Sequence, residues 1–141
     1  MKTAPSVGFL SGPTDTRRQR AAALLAGALM LHDLEEAVGY PLVRPAVLGL
    51  WPSAPPAEAF WTSLAVVTVV GVALALWAGS GRPSGGKALA LRAIAWVLLV
   101  NVLVPHVPAA FTLGGYAPGV VTAVAVNLPV CLLALRLLRG V

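Results

Sequence analysis

His32, Asp33, Glu35 and Glu36 fall within five residues and combine the side chains that bind divalent cations and move protons. On a helix turning 100° per residue, His32, Glu35 and Glu36 stand three and four positions apart and share one face. Asp33 is about 100° round from His32 and addresses a different neighbour. Imidazole with carboxylate is the ordinary donor set of zinc and also suits iron or manganese. A Glu and a His three apart on one helix is also a building block of metal sites in bundle cores, here in the reverse order. Burial makes this cluster costly, because one acid at the centre of a membrane helix costs roughly 2.5–3.5 kcal/mol on insertion scales. The one nearby cation, Arg44, cannot neutralise three acids, so a bound cation or protonated carboxyls must make up the difference.

The elements that would hold these groups are membrane helices. Of 141 residues, 58% are hydrophobic and only 11% charged, and the mean hydropathy is +0.85. Soluble domains carry about 25% charge. Four apolar stretches, at about 20–39, 57–78, 88–113 and 119–138, each approach the roughly 20 residues that cross a bilayer. Backbone groups in lipid must be satisfied internally, which predicts helices. Breakers mark the connections: Pro41, Pro45, Pro52, Pro55 and Pro56, then Gly79 to Gly86, then Gly114, Gly115, Pro118 and Gly119. The expected fold is all-α, a bundle of four transmembrane helices over residues 17–141. Residues 1–16 form a loosely ordered cytoplasmic segment, with Thr14 or Asp15 capping the first helix.

Charge placement orients the bundle. Nine of the ten basic residues flank the cytoplasmic ends of this scheme, and only Arg44 lies opposite. By the positive-inside rule both termini are cytoplasmic, in a multi-pass protein of the cell's inner membrane. The net charge of +5 forms no aromatic-interleaved patch, which argues against nucleic acid. No small-x-small cleavage site follows the first apolar run, so that run reads as a retained helix and not a secretory signal. The glycine-rich stretch 79–86 lacks the spacing of a phosphate loop. The lone Cys131 excludes an internal disulfide and reads as helix packing.

Depth collects the remaining candidates. At about 1.5 Å per residue, His32, Asn101, His106 and Asn127 reach similar depths on the first, third and fourth helices. They outline a polar pocket in the outer half of the bundle. Asn101 and His106 would stand about 140° apart on an ideal helix, so a bend near Pro105 is needed to aim both at one site. Pro129 could bend the fourth helix beside Asn127. Tyr116 lies at the outer mouth, either anchored at the interface or with its hydroxyl over the pocket. The second helix, with only Thr62, Ser63 and Thr68 as polar groups, reads as a structural wall. The tryptophans need no role beyond the interfaces.

His32-Asp33-Leu34-Glu35-Glu36 at the end of a first membrane helix resembles the signature of the HXXEE family of small bacterial integral-membrane proteins. Asn101 and His106, then Tyr116-x-Pro118-Gly119 with Thr122 opening the last helix, are similar to that family's downstream pattern. The resemblance implies a metal-dependent membrane enzyme, with His32, Glu35, Glu36 and His106 as candidate ligands or acid–base groups. The five-residue step from Asn101 to His106, with a proline before the histidine, departs from the pattern.

The expected function is therefore enzymatic. His32, His106 and one of Glu35 or Glu36 would bind a divalent metal, zinc first and iron or manganese as alternatives. The other glutamate would serve as acid or base, with Asp33, Asn101, Tyr116 and Asn127 as further catalytic candidates. The site's depth points to an apolar or lipid-like substrate, with hydrolysis the leading reaction. Metal-free cyclisation or isomerisation of an apolar metabolite is the first alternative. A metal or proton transporter, which four short helices would form as a homo-oligomer, is the second. A structural accessory subunit leaves three acids in one helix unexplained.

Overall fold

A computed structural model describes residues 13–141, so Lys2 and most of the 1–16 segment lie outside the described residues. The described chain is all-helical. Helix α1 spans Pro13–Leu50 and α2 spans Ala57–Gly79. Helix α3 covers Gly85–Thr112 with a kink over Val102–His106, and α4 covers Val120–Leu137 with a π turn at Ala123–Asn127. Three of these, α2, α3 and α4, are long and apolar enough to cross a membrane, with mean hydropathies of 2.2, 2.1 and 2.1. Helix α1 is longer, but Asp33, Glu35 and Glu36 lie within it. Large apolar side chains such as Val69, Val70, Val97 and Leu103 point outward and are exposed, as lipid-facing surface must be. These features mark a membrane protein.

Helix α1 is longer than its apolar stretch. It begins at Pro13, which places Thr14 and Asp15 inside its first turn, and it runs through Pro41 and Pro45 to Leu50. A proline inside a helix deprives the carbonyl four residues back of its partner. For Pro41 that is the carbonyl of Ala37, and the indole Nε1 of Trp61 donates to it at 3.3 Å. Tyr40 stacks on Phe60 with ring centroids 3.9 Å apart, and its hydroxyl donates to the Pro55 carbonyl at 3.2 Å. Together these contacts fix the first loop.

The helices run up, down, up and down. Arg18, fully buried near the start of α1, donates to the carbonyls of Ala78, Ser80 and Gly81 at the end of α2. Lys87 Nζ donates to the Ser80 carbonyl at 2.7 Å, and Arg92 donates to the carbonyls of Leu138 and Val141. The last carbonyls of a helix lack partners within it, and a cation there also favours the helix dipole. These three basic residues thus cap the C-termini of α2 and α4 as well as lying at one end of the bundle.

Next to those caps lies a buried core of small and aliphatic residues, including Ala21, Ala22, Leu25, Ala78, Leu91, Ala95, Cys131, Ala134 and Leu138. Alanines let membrane helices approach closely. The opposite half of the bundle contains the polar cluster.

Candidate functional site

Helix α1 supplies His32, Asp33, Glu35 and Glu36, and α3 supplies Asn101 and His106. The turn before α4 supplies Pro118 and Gly119, and the first turn of α4 supplies Thr122. The bend that Asn101 and His106 require is present: Val104 is extended (φ −144°, ψ 116°), next to Pro105, so the helical twist is interrupted between them. As a result Asn101 Nδ2 lies 2.9 Å from His32 Nε2 and 3.0 Å from His106 Nε2. The two imidazoles meet edge to face with centroids 4.6 Å apart. Glu36 Oε1 lies 3.3 Å from His106 Nε2 and 3.8 Å from His32 Nε2. One donor atom from each of His32, Glu36 and His106 falls within 4.8 Å of the others.

The hydrogen bonds fix which nitrogen of each ring is bare. His106 Nδ1 lies 2.8 Å from the Pro118 carbonyl, which can only accept, so Nδ1 carries the proton. His32 Nδ1 lies 3.0 Å from Thr122 Oγ1. That hydroxyl donates its own hydrogen to Glu35 Oε2 at 2.5 Å, so it accepts from His32. Both Nε2 atoms are then lone-pair donors aimed at one point beside Glu36. A ring Nδ1–H held by a carbonyl, or by a hydroxyl on a carboxylate, is the outer support of metal-binding histidines.

Glu35 faces the start of α4. Its carboxylate accepts from the amides of Val121 at 3.2 Å and Thr122 at 2.6 Å, besides the Thr122 hydroxyl. The helix N-terminus favours a negative charge there. Glu35 therefore acts on the site through Thr122 and His32, while Glu36 is the carboxylate beside the imidazoles. Tyr116, on the loop, is the further neighbour of Glu35; burial first, and then the Glu35 charge, raise its phenol above the ordinary value. Asp33 turns to α2 and accepts from the Thr68 hydroxyl. Arg44 makes no ion pair with any of the three acids among the described residues. Asn127 ends the π turn fully buried, makes no hydrogen bond to the site, and leaves both amide atoms without a partner among the described residues.

Two glycines let these elements meet. Gly119 has φ +82°, and a Cβ there would come within 2.6 Å of His106 Cε1, 2.8 Å of His32 Cε1 and 2.9 Å of Glu36 Cγ. A side chain is excluded both by the left-handed backbone and by the three functional groups. A Cβ on Gly39 would collide with the Tyr116 hydroxyl and press Pro118 Cα at 3.3 Å. The spacing of the candidate residues does not reveal these steric roles, or the bridging roles of Thr122 and Thr68. Only a turn glycine closing on α1 could have hinted at the first.

Beside the cluster, a cavity of about 300 Å³ opens between α1, α2 and α3. His32, Asp33, Glu36 and Asn101 line its polar end, and Leu29, Phe60, Leu64, Val67, Val97 and Leu98 its apolar walls.

No curated protein and no solved structure matches the chain. The model of one family, described as a protein of unknown function with HXXEE motif, matches residues 23–134. That span holds His32, Glu35 and Glu36 in the motif's order and also takes in Asn101, His106, Gly119 and Thr122, which complete the site in space. By that match the chain belongs to the HXXEE-motif family.

Proposed function

We propose that the protein is a metal-dependent enzyme of the inner membrane that acts on an apolar or lipid-like substrate, with hydrolysis the leading reaction. The observation that carries this reading is the convergence of two bare imidazole nitrogens, His32 Nε2 and His106 Nε2, on the Glu36 carboxylate. Two histidines and one carboxylate leave positions open on a divalent ion, the donor set of many catalytic zinc and non-haem iron sites. The residues present fit such an ion. Both Nδ1 protons are already held, no lysine or arginine pairs with Asp33, Glu35 or Glu36 among the described residues, and Gly119 adds no side chain against the two imidazoles and Glu36. A divalent ion there would supply Lewis acidity, polarising a carbonyl or activating water.

The chain's own residues supply the rest. Glu35, saturated by three donors, stays a fixed anion that orients Thr122 and through it His32. Asp33, at the polar end of the cavity and bonded only to Thr68, is the carboxylate free to take a proton from a nucleophile. The apolar walls suit a hydrocarbon chain, and their place between helices suits entry from the bilayer. The four helices span the membrane with both termini cytoplasmic. The basic caps lie on that side and the site in the outer half. The alanine-rich core fills the cytoplasmic half, which disfavours a path for ions through the bundle.

Metal content of the detergent-purified protein, measured by mass spectrometry, tests the reading. Near-stoichiometric zinc, iron or manganese is expected, and it should be lost in His32→Ala and in Glu36→Gln. Protein that stays metal-free after reconstitution with each ion would sink the metalloenzyme. One observation favours the runner-up in that event: Asn101 already satisfies both Nε2 atoms without a cation. Glu36 and Asp33 would then serve as the acid–base pair of a metal-free cyclase or isomerase.

A further inference from the structure

The Asn101 side chain stands where the lone pairs of the site converge. Both Nε2 atoms are bare, so what they face must donate, and the two hydrogens of the Asn101 amide nitrogen match them at 2.9 and 3.0 Å. A cation bound by those nitrogens needs the same lone pairs. We infer that Asn101 holds the cation's position in the metal-free protein and is the group an incoming divalent ion displaces; this rests on the metal reading above.

Three features carry the inference. First, the match is chemical: a neutral amide offers two donors and no charge. An aspartate in its place would set a carboxylate against Glu36 and offer the bare nitrogens nothing. Second, the displaced amide has somewhere to go. Asn101 lies between the site cavity and a second one of about 370 Å³ on the outer side of α3, lined by Trp96, Val97, Val100 and Val104. Third, Asn101 is the last residue of the regular part of α3, immediately before the kink. The segment on its C-terminal side therefore does not clamp it as a helix interior would. The placeholder keeps two buried imidazoles satisfied while the site is empty, and in doing so competes with the metal.

Cobalt(II) titration of the full chain in detergent, stripped with a chelator, tests this through the visible absorption of the bound ion. Asn101→Ala loses both competing hydrogen bonds and should bind cobalt roughly tenfold more tightly, with the band unmoved. Its metal-free form should melt lower than the parent, and its rise in Tm on adding cobalt should be larger. Asn101→Ser provides a second variant with less loss of polarity and should fall between the two. Weaker binding in both variants, or a shifted band, would make Asn101 a ligand and overturn the inference while leaving the metal site standing. Absence of a cobalt band in the parent would overturn the metal reading and this inference together.

Discussion

At Gly119 a single methyl group is expected to disable the site. Gly119→Ala brings a Cβ against both imidazoles and Glu36, so the variant should insert in the membrane but retain no metal, as elemental analysis would show. A variant that keeps its metal would mean the turn relaxes away from α1. Thr122 gives a finer test. Thr122→Val removes the acceptor for His32 Nδ1–H and one donor to Glu35. Loss of such an outer partner typically weakens metal binding about 10–100-fold. Thr122→Ser should restore it, because the hydroxyl and not the methyl makes the contacts. Equal affinity in Val and Ser variants, read by competition with a chromophoric chelator, would assign Thr122 to packing alone. The convergence of His32, Glu36, Asn101 and His106 was legible at this scale, because polar groups are rare in an apolar chain and costly in lipid. Their division of labour was not: Glu35 and Glu36 are adjacent in sequence, and only the tertiary position of the α4 N-terminus gives one a helix end and the other the imidazoles.

Among the helices, the basic residues close helix ends. Arg18 is buried against three carbonyls of the α2 terminus, whereas Arg17 is exposed. Hydrogen bonds to a charged group contribute about 1.5–3 kcal/mol each and do not simply add, so Arg18→Ala should cost at least about 2 kcal/mol of stability. Arg17→Ala should cost almost nothing, and thermal unfolding in detergent compares the two. Both ends of α2, α3 and α4 were readable to within a few residues from hydropathy and glycine. The far end of α1 was not, since Pro41 and Pro45 read as breakers. The helix continues because Trp61 satisfies the carbonyl that Pro41 strands, a contact between residues 24 apart that no local pattern encodes. The kink at Val102–His106 was legible as a need, from the 140° between Asn101 and His106, and Pro105 named its place.

Across the whole molecule, the two halves of the bundle differ in kind. Alanine, leucine and Cys131 pack the half near the basic caps, and hydrogen bonds hold the half around His32. Cys131 is fully buried and should resist thiol reagents until the bundle unfolds. That silence allows topology mapping with added cysteines at Arg20, Ser84 and Arg139, which are exposed. An impermeant reagent should label all three in inside-out membrane vesicles and none in intact cells. Labelling of any one from the outer face would break the four-span scheme. Composition alone made the membrane class legible, and the nine-to-one charge split predicts the orientation that this labelling tests.

The Trp61–Ala37 contact also gives the protein a built-in optical reporter. The indole donates to a carbonyl one residue past Glu36, on the α1 turn that carries the site. Indole emission depends on the hydrogen bond its N–H makes. With Trp51, Trp77 and Trp96 replaced by phenylalanine, the remaining fluorescence should change as the α1 turn responds to an occupant. Ligand screens could then proceed without a label and before the reaction is known.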